Sequence, residues 1–251
     1  MALTAPIAEV DLDFDNGSFD AAAFTAQALS CWQALAAIID HTLLKPDATR
    51  AQVEKLCDEV IRYRFACAMV NPIWASTAAG VLSGTGIPVG VVIGFPLGAS
   101  LVSTLRQEAA ALTRLGAREL DMVIPIGQLK SGNHHAVHHA VQAASAVAHQ
   151  RGALLKVILE TALLSVEEKL RGAEIAIQAG ADFIKTSTGF ASAGATPADV
   201  ALMRGVAGAR CGVKAAGGIR TLADVRALLA AGANRIGASA SVAIVRELGA
   251  E

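Results

Sequence analysis

Aromatic side chains are scarce in this chain: Phe, Trp and Tyr together make up 4% of 251 residues. A core built almost without them must pack on Ala, Val, Ile and Leu, and hydrophobic residues do reach 53%. Such a core suits parallel strands covered by helices. Charge is also sparse, and 21 Lys and Arg against 22 Asp and Glu leave a net charge of −1. No excess of basic residues is available to hold nucleic acid or an anionic membrane surface. Only four cysteines occur (Cys31, Cys57, Cys67, Cys211), with no CxxC pair among them. That spacing argues against a thiolate metal site and fits reduced thiols in a cytoplasmic protein. No basic segment followed by an apolar run opens the sequence, so no secretory leader is expected. No apolar run reaches the length of a membrane-spanning helix.

What the chain does have is an alternation. Residues 1–30 stand apart: Asp11 to Asp20 is acidic and polar, and Asp20 is placed to cap a short helix from Ala21 to Ser30. This segment reads as an N-terminal extension to a catalytic domain over residues 31–251. From residue 35 onward strand and helix signals alternate. Strands are expected at Ala36–Asp40, Ala66–Val70, Val89–Ile93, Glu119–Ile124, Leu154–Glu160, Phe183–Thr186, Gly212–Ala215 and Arg235–Ala238. Helical patterns follow at 49–62, 73–83, 100–115, 133–150, 165–179, 197–208, 221–231 and 239–248. Eight βα units in series predict an α/β fold of the single (β/α)8, or TIM, barrel type, rather than an open sheet. No glycine run matches GxGxxG after the first strand, so dinucleotide binding has no support.

Polar residues gather just after the strands, where a (β/α)8 barrel carries its active site. They include Asp40, Thr42, Glu160, Lys185, Thr188, Lys214 and Ser239. The Gly-Ala pairs at 116, 180 and 232 fit turns at the opposite end. Lys156, Lys185 and Lys214 lie within or at the end of neighbouring strands. Buried lysines are rare because an unpaired ammonium is expensive to desolvate, so three together point to a designed electrostatic site. A free lysine titrates at ~10.4 and is a poor nucleophile at neutral pH. A second ammonium ~6 Å away, at an effective dielectric of ~20, costs the charged form roughly 3 kcal/mol. That lowers the pKa by about 2, and desolvation lowers it further. Lys185 or Lys214 could thus act as an imine-forming amine with the other as the perturbing cation, and charge arithmetic leaves the choice open. Asp121, flanked by apolar residues, either shuttles protons beside the lysines or forms a structural ion pair with Lys156 or Lys214. Glu160 reads as the partner of a lysine. Gly189, Gly217, Gly218 and Gly237, with Ser239 opening a helix, form a candidate anion seat. The histidines at 134, 135, 138 and 139 have i,i+4 spacing but no third ligand nearby, and read as a solvated helix face. Ser187 has no histidine at a recognisable spacing, which argues against a serine hydrolase.

Seven ordered segments, spread over Ile38 to Val245, resemble the deoxyribose-phosphate aldolase family. They are Ile39–Pro46 (IDHTLLKP), Val70–Pro72 (VNP), Val92–Gly98 (VIGFPLG), Leu120–Ile124 (LDMVI), Lys156–Thr161 (KVILET), Phe183–Phe190 (FIKTSTGF) and Val213–Arg220 (VKAAGGIR). The resemblance implies a class I aldolase without metal or other cofactor. Its substrates would be a sugar phosphate and aldehydes, namely 2-deoxy-D-ribose 5-phosphate cleaved reversibly to D-glyceraldehyde 3-phosphate and acetaldehyde. It further implies that Lys185 forms the Schiff base, Lys214 tunes it, and Asp121 assists proton transfer. Lys156, Asp40, Thr42, Thr188, Gly189, Gly217, Gly218, Gly237 and Ser239 would serve substrate binding. The alternatives are another Schiff-base barrel aldolase and a sugar-phosphate-binding barrel without catalysis. Exposed apolar helices are compatible with a homo-oligomer, expected as a dimer. Three departures from the family pattern stand out. Met69 replaces a common cysteine, which predicts tolerance of concentrated aldehyde. Ala240 follows Ser239 where a second hydroxyl is common, which predicts weaker phosphate preference. The C-terminal tyrosine of some members has no counterpart, Tyr63 being the single tyrosine.

Overall fold

The computed structural model describes residues 19–251, and the expected extension before Phe19 lies outside the described residues. Eight strands follow one another around a closed barrel: β1 (Ile39–Leu43), β2 (Cys67–Val70), β3 (Val89–Ile93), β4 (Ala117–Val123), β5 (Leu154–Ile158), β6 (Phe183–Lys185), β7 (Gly212–Ala216) and β8 (Arg235–Ala238). Every pairing is parallel, and β8 closes onto β1. The helices, in chain order, are α1 (Ala21–Ala28), α2 (Trp32–Ala36), α3 (Arg50–Tyr63), α4 (Ala75–Val81), α5 (Val102–Arg114) and α6 (Ile126–Lys130). Then come α7 (His134–Gln150), α8 (Val166–Gln178), α9 (Pro197–Ala207), α10 (Leu222–Ala230) and α11 (Ser241–Arg246). The (β/α)8 architecture expected from the alternation is therefore the one observed. None of these helices is long and apolar enough to cross a membrane.

Local chemistry explains the boundaries. Thr49 with Gln52, Ser165 with Glu168, and Thr221 with Asp224 form capping boxes that start α3, α8 and α10. Helix α3 buries Val53, Leu56, Cys57 and Val60, the i,i+3/i+4 stripe expected of a helix laid on strands. Gly116, Gly180 and Gly232 have φ of 106°, 93° and 108°, which closes the turns into β4, β6 and β8 as the Gly-Ala pairs predict. Asp20 caps α1 by accepting from Ala22 and Ala23 N–H. This helix packs against α10. The Phe19 ring covers the Arg204 guanidinium at 3.9 Å. Arg204 in turn donates to the carbonyls of Gly232 and Cys211, next to the starts of β8 and β7. The segment from Phe19 onward thus packs over the strand-start end of the barrel.

One strand is displaced from its expected place, and the displacement matters. The first strand was expected over Ala36–Asp40, but Trp32–Ala36 forms α2, its N-cap being the Cys31 sulfur. Strand β1 therefore starts at Ile39, and Asp40 lies inside it rather than at its end. Alternation then turns Asp40 and Thr42 into the barrel and His41 outward, where its Nε2 meets Glu59 of α3 at 2.9 Å.

Candidate active site

The barrel interior is filled by alternate residues of each strand, and the register stacks the polar ones together. Asp121 on β4 is the cross-strand partner of Lys156 on β5. Lys185 on β6 neighbours Lys214 on β7, which neighbours Arg235 on β8. Asp121 is the hub: its Oδ1 accepts from Lys156 Nζ at 2.9 Å, and its Oδ2 accepts from both Lys185 Nζ and Lys214 Nζ at 2.7 Å. Lys214 Nζ also meets Asp40 Oδ2 at 2.5 Å. Lys156 Nζ lies 2.5 Å from Glu119 and 3.3 Å from Asp40. Arg235 donates to Asp40 at 2.6 Å and to Glu119 at 2.8 Å. Asp121 thus forms the ion pairs expected with Lys156 and Lys214, and pairs with Lys185 as well.

The count of charges decides which amine gives way. Three carboxylates (Asp40, Glu119, Asp121) face four cations (Lys156, Lys185, Lys214, Arg235) in a region almost without solvent contact. Lys185 has a single carboxylate, shared with two other lysines. Burial lowers its pKa most, Asp121 opposes this, Lys214 adds to it, and the result is about 8. Burial rather than the second ammonium is therefore the larger cause, in contrast to the weighting expected from sequence. Burial would also depress Lys156, but Asp121, Asp40 and Glu119 hold it well above the ordinary lysine value. Asp121 shows the converse. Burial would raise its carboxyl, and Lys156, Lys185 and Lys214 together hold it well below the usual range.

Above this layer, at the C-terminal ends of the strands, opens a cavity of about 380 Å³. That volume is in the range of small-molecule sites. Lys185 is the one member of the charged cluster that lines it. Thr42, Thr188 and Ser239 line it, as do Gly189, Gly217, Gly218 and Gly237. Lys214 and Asp121 do not line it, each being bonded to its neighbours and wholly buried. Asp40 and Lys156, expected among the substrate-binding residues, are also wholly buried and do not reach the cavity. For Asp40 the reason is the shifted start of β1. For Lys156 it is the two strand residues that follow before β5 ends.

Gly189, Gly217 and Gly218 have φ of 87°, 90° and 78°, a backbone form that exposes amides to a ligand at little steric cost. Gly237 has a steric reason as well: a Cβ there would lie 3.0 Å from Lys214 Cε, so the lysine chain runs through the space that glycine leaves. The last helix starts at Ser241 rather than at Ser239, so Ser239 is a loop residue of the rim. Glu160 takes no lysine as partner; its carboxylate accepts from Thr188. Two cations were not singled out from the sequence, Lys45 and Arg220, both on the cavity wall. The signal was present, since each ends or nearly ends one of the motif segments.

Metal-binding arrangements are poorly served. His135 and His139 stack at 6.4 Å on an exposed face of α7, with no third ligand grouped with them among the described residues. Asp40, Cys67 and Glu119 do lie close enough to share an ion. Lys156 and Arg235 already neutralise these carboxylates, and burial pushes the Cys67 thiol well up, which keeps it protonated.

Comparison with known proteins agrees with this geometry. A family model described as DeoC/LacD family aldolase matches residues 34–247. A relative from Geobacillus sp. strain WCH70, named deoxyribose-phosphate aldolase, is 52% identical over 84% of this chain and 94% of its own length. Another of that name, from Thermoanaerobacter sp. strain X514, is 49% identical over 85% of this chain and 96% of its own. Among solved structures, a tetrameric deoxyribose phosphate aldolase from Aeropyrum pernix superposes with a TM-score of 0.84 at 34% identity, covering 91% of this chain and 96% of that one. A barrel in which one amine of a buried charged cluster borders the cavity, its pKa lowered by burial, and which the family model matches across all eight strands, belongs to the DeoC/LacD family of aldolases.

Proposed function

We propose that this chain cleaves 2-deoxy-D-ribose 5-phosphate reversibly to D-glyceraldehyde 3-phosphate and acetaldehyde through an imine on Lys185. The observation that carries the reading is access: of four clustered cations, Lys185 alone borders the cavity, and its pKa of about 8 leaves a usable neutral fraction near pH 7. The neutral amine adds to the C1 aldehyde, and loss of water gives a protonated imine. Loss of the C3 hydroxyl proton sends the C2–C3 bonding pair into that imine. Glyceraldehyde 3-phosphate leaves, and an enamine of acetaldehyde remains. Protonation of its terminal carbon and addition of water release acetaldehyde and restore the amine. Asp121 Oδ2, bonded to both Lys185 and Lys214, is seated to pass protons between them. The glycine stretches at 189 and 217–218, Ser239 and the nearby Arg220 would receive the phosphate. Borohydride reduction with acetaldehyde, followed by peptide mapping, tests the reading together with release of acetaldehyde from deoxyribose 5-phosphate. An adduct on Lys185 supports it, an adduct on Lys214 instead reverses the roles, and no adduct leaves a binding barrel.

The phosphate seat depends on one close backbone approach. Ala195 N–H donates to Gly217 O, and a Cβ on Gly194 would lie 2.1 Å from that oxygen. Gly194→Ala is expected to push the 217–218 stretch outward and raise KM for the phosphorylated sugar about 10-fold or more. Turnover of unphosphorylated deoxyribose should change far less, and equal losses on both substrates would contradict the placement.

Aldehyde tolerance follows from the barrel interior, where Met69 packs with Leu44, Cys67 and Val92. Met69 is buried where other family members carry a thiol, and among the described residues no cysteine lines the cavity. Activity should survive hours in concentrated acetaldehyde, and Met69→Cys should shorten that survival. Equal inactivation of the two proteins would sink the idea. The free thiols and the phosphorylated substrate fit a cytoplasmic setting. Exposed Ile73, Leu97 and Leu101 leave apolar surface that a homodimer would cover, and sedimentation at micromolar concentration checks this.

A further inference from the structure

One carboxylate at the barrel mouth has no cationic partner among the described residues. Glu160 follows β5, is 3% exposed, and has a left-handed backbone with φ 59° and ψ 64°. A residue with a side chain adopts that form at a steric cost, and here, unlike at the exposed helix end Arg64, it does so while buried. The Thr188 hydroxyl donates to Glu160 Oε2, and Thr188 N–H approaches the two carboxylate oxygens at 3.3 and 3.4 Å. The same hydroxyl oxygen accepts from Phe190 N–H at 3.0 Å. On either side of Glu160, Leu159 N–H donates to Lys185 O at 2.9 Å and Thr161 N–H to Thr186 O at 3.0 Å. Phe190 then stands edge-on to Phe95, with ring centroids 5.3 Å apart. Thr188, Gly189 and Phe190 form one continuous stretch of cavity wall, which begins three residues after Lys185.

We infer that Glu160 is a positioning residue that locks this wall and fixes the hydrogen-bond polarity of Thr188. A hydroxyl has one proton and two lone pairs. The proton of Thr188 goes to Glu160 and one lone pair to Phe190 N–H, so what remains for a ligand is an acceptor. An acceptor on the wall beside Lys185 suits a hydroxyl of the sugar, on the part that leaves as the hydroxyaldehyde. The identity of that ligand rests on the aldolase reading above. Acetaldehyde carries no hydroxyl, so its imine with Lys185 should not need the wall.

Two variants test this. Glu160→Gly removes the carboxylate but accepts the left-handed backbone freely, so the turn survives. Glu160→Gln keeps an acceptor oxygen of the same reach. The glycine variant is expected to raise KM for deoxyribose 5-phosphate about 10- to 100-fold, the scale of a misplaced binding group. Borohydride trapping of acetaldehyde on Lys185 should stay within about twofold of the parent protein, and Glu160→Gln should recover most of the KM loss. Hydrogen exchange of the substrate-free protein should speed up at Thr188 and Phe190 in the glycine variant. Equal loss of trapping and cleavage would place Glu160 in the chemistry at Lys185 and overturn the inference, as would unchanged exchange. If the parent protein does not cleave deoxyribose 5-phosphate, the substrate reading falls by itself. Exchange and trapping then still decide whether Glu160 holds the wall.

Discussion

Lys185→Met is expected to lose cleavage by at least about 10⁴-fold, since it removes the amine of the proposed covalent route. It is also expected to make the protein more stable at neutral pH. The two effects share one cause. Burial lowers the Lys185 pKa to about 8 from an ordinary value of 10.5. Between these values the unfolded chain binds a proton that the folded chain does not, so folding stability rises with pH across that window. Equivalently, the stability is fully present above about 10.5 and is lost as pH falls through about 8. Below pH 8 the folded protein carries an ammonium at a cost of up to about 3 kcal/mol. Methionine has similar reach and no charge, and Asp121 keeps Lys156 and Lys214 as partners, so no carboxylate is orphaned. At pH 7 the melting temperature should rise by about 6 to 12 °C. The gain should shrink towards pH 10, where the parent amine is neutral. Thermal melts of both proteins across pH 7 to 10 test this, because other titrating groups cancel in the difference. An unchanged melting temperature at every pH would show that Lys185 is better solvated than its burial implies.

The sequence carried the barrel well because its strands are short apolar runs, each closed by a polar residue or glycine. It carried depth poorly. Lys185 and Lys214 are cross-strand partners at one level and look equivalent in sequence. Their difference arises from Gly237, which leaves room for the Lys214 chain to run towards Asp40, while Lys185 stays at the cavity wall. From sequence Asp40 reads as a rim residue, because the expected first strand ends on it, three residues short of the end of β1. Of the apolar run Ala36–Ile39, Ala36 closes α2, Ala37 and Ile38 form the turn after it, and only Ile39 belongs to β1. Glu160, at the end of its strand among the clustered polar residues, reads from sequence as the partner of a lysine. Its real partner is Thr188, 28 residues further on, and the backbone at 160 is left-handed. Neither a steric vacancy on the neighbouring strand nor a positive φ at a non-glycine residue leaves a mark in a single sequence.

Asp121→Asn is expected to separate the ion pairing of the hub from the proton relay proposed for it. The substitution preserves shape but leaves two carboxylates against four buried cations, and Lys185 loses the one partner that opposes its depression. The Lys185 pKa must therefore fall below about 8, and the pH midpoint for trapping the acetaldehyde imine should move down with it. Imine formation at pH 7 should be held or improved. Cleavage should nevertheless fall by about 10²- to 10⁴-fold, because no carboxylate remains between Lys185 and Lys214 to relay protons. Stability should drop by about 3–5 kcal/mol, the cost of breaking a buried ionic network at one partner. Part of that loss should return on raising the pH, as the excess buried charge is titrated away. Trapping rates, turnover and denaturant midpoints measured on one preparation distinguish the roles. A midpoint that moves up, or turnover that falls only in step with trapping, would mean that Asp121 serves Lys185 alone and relays nothing.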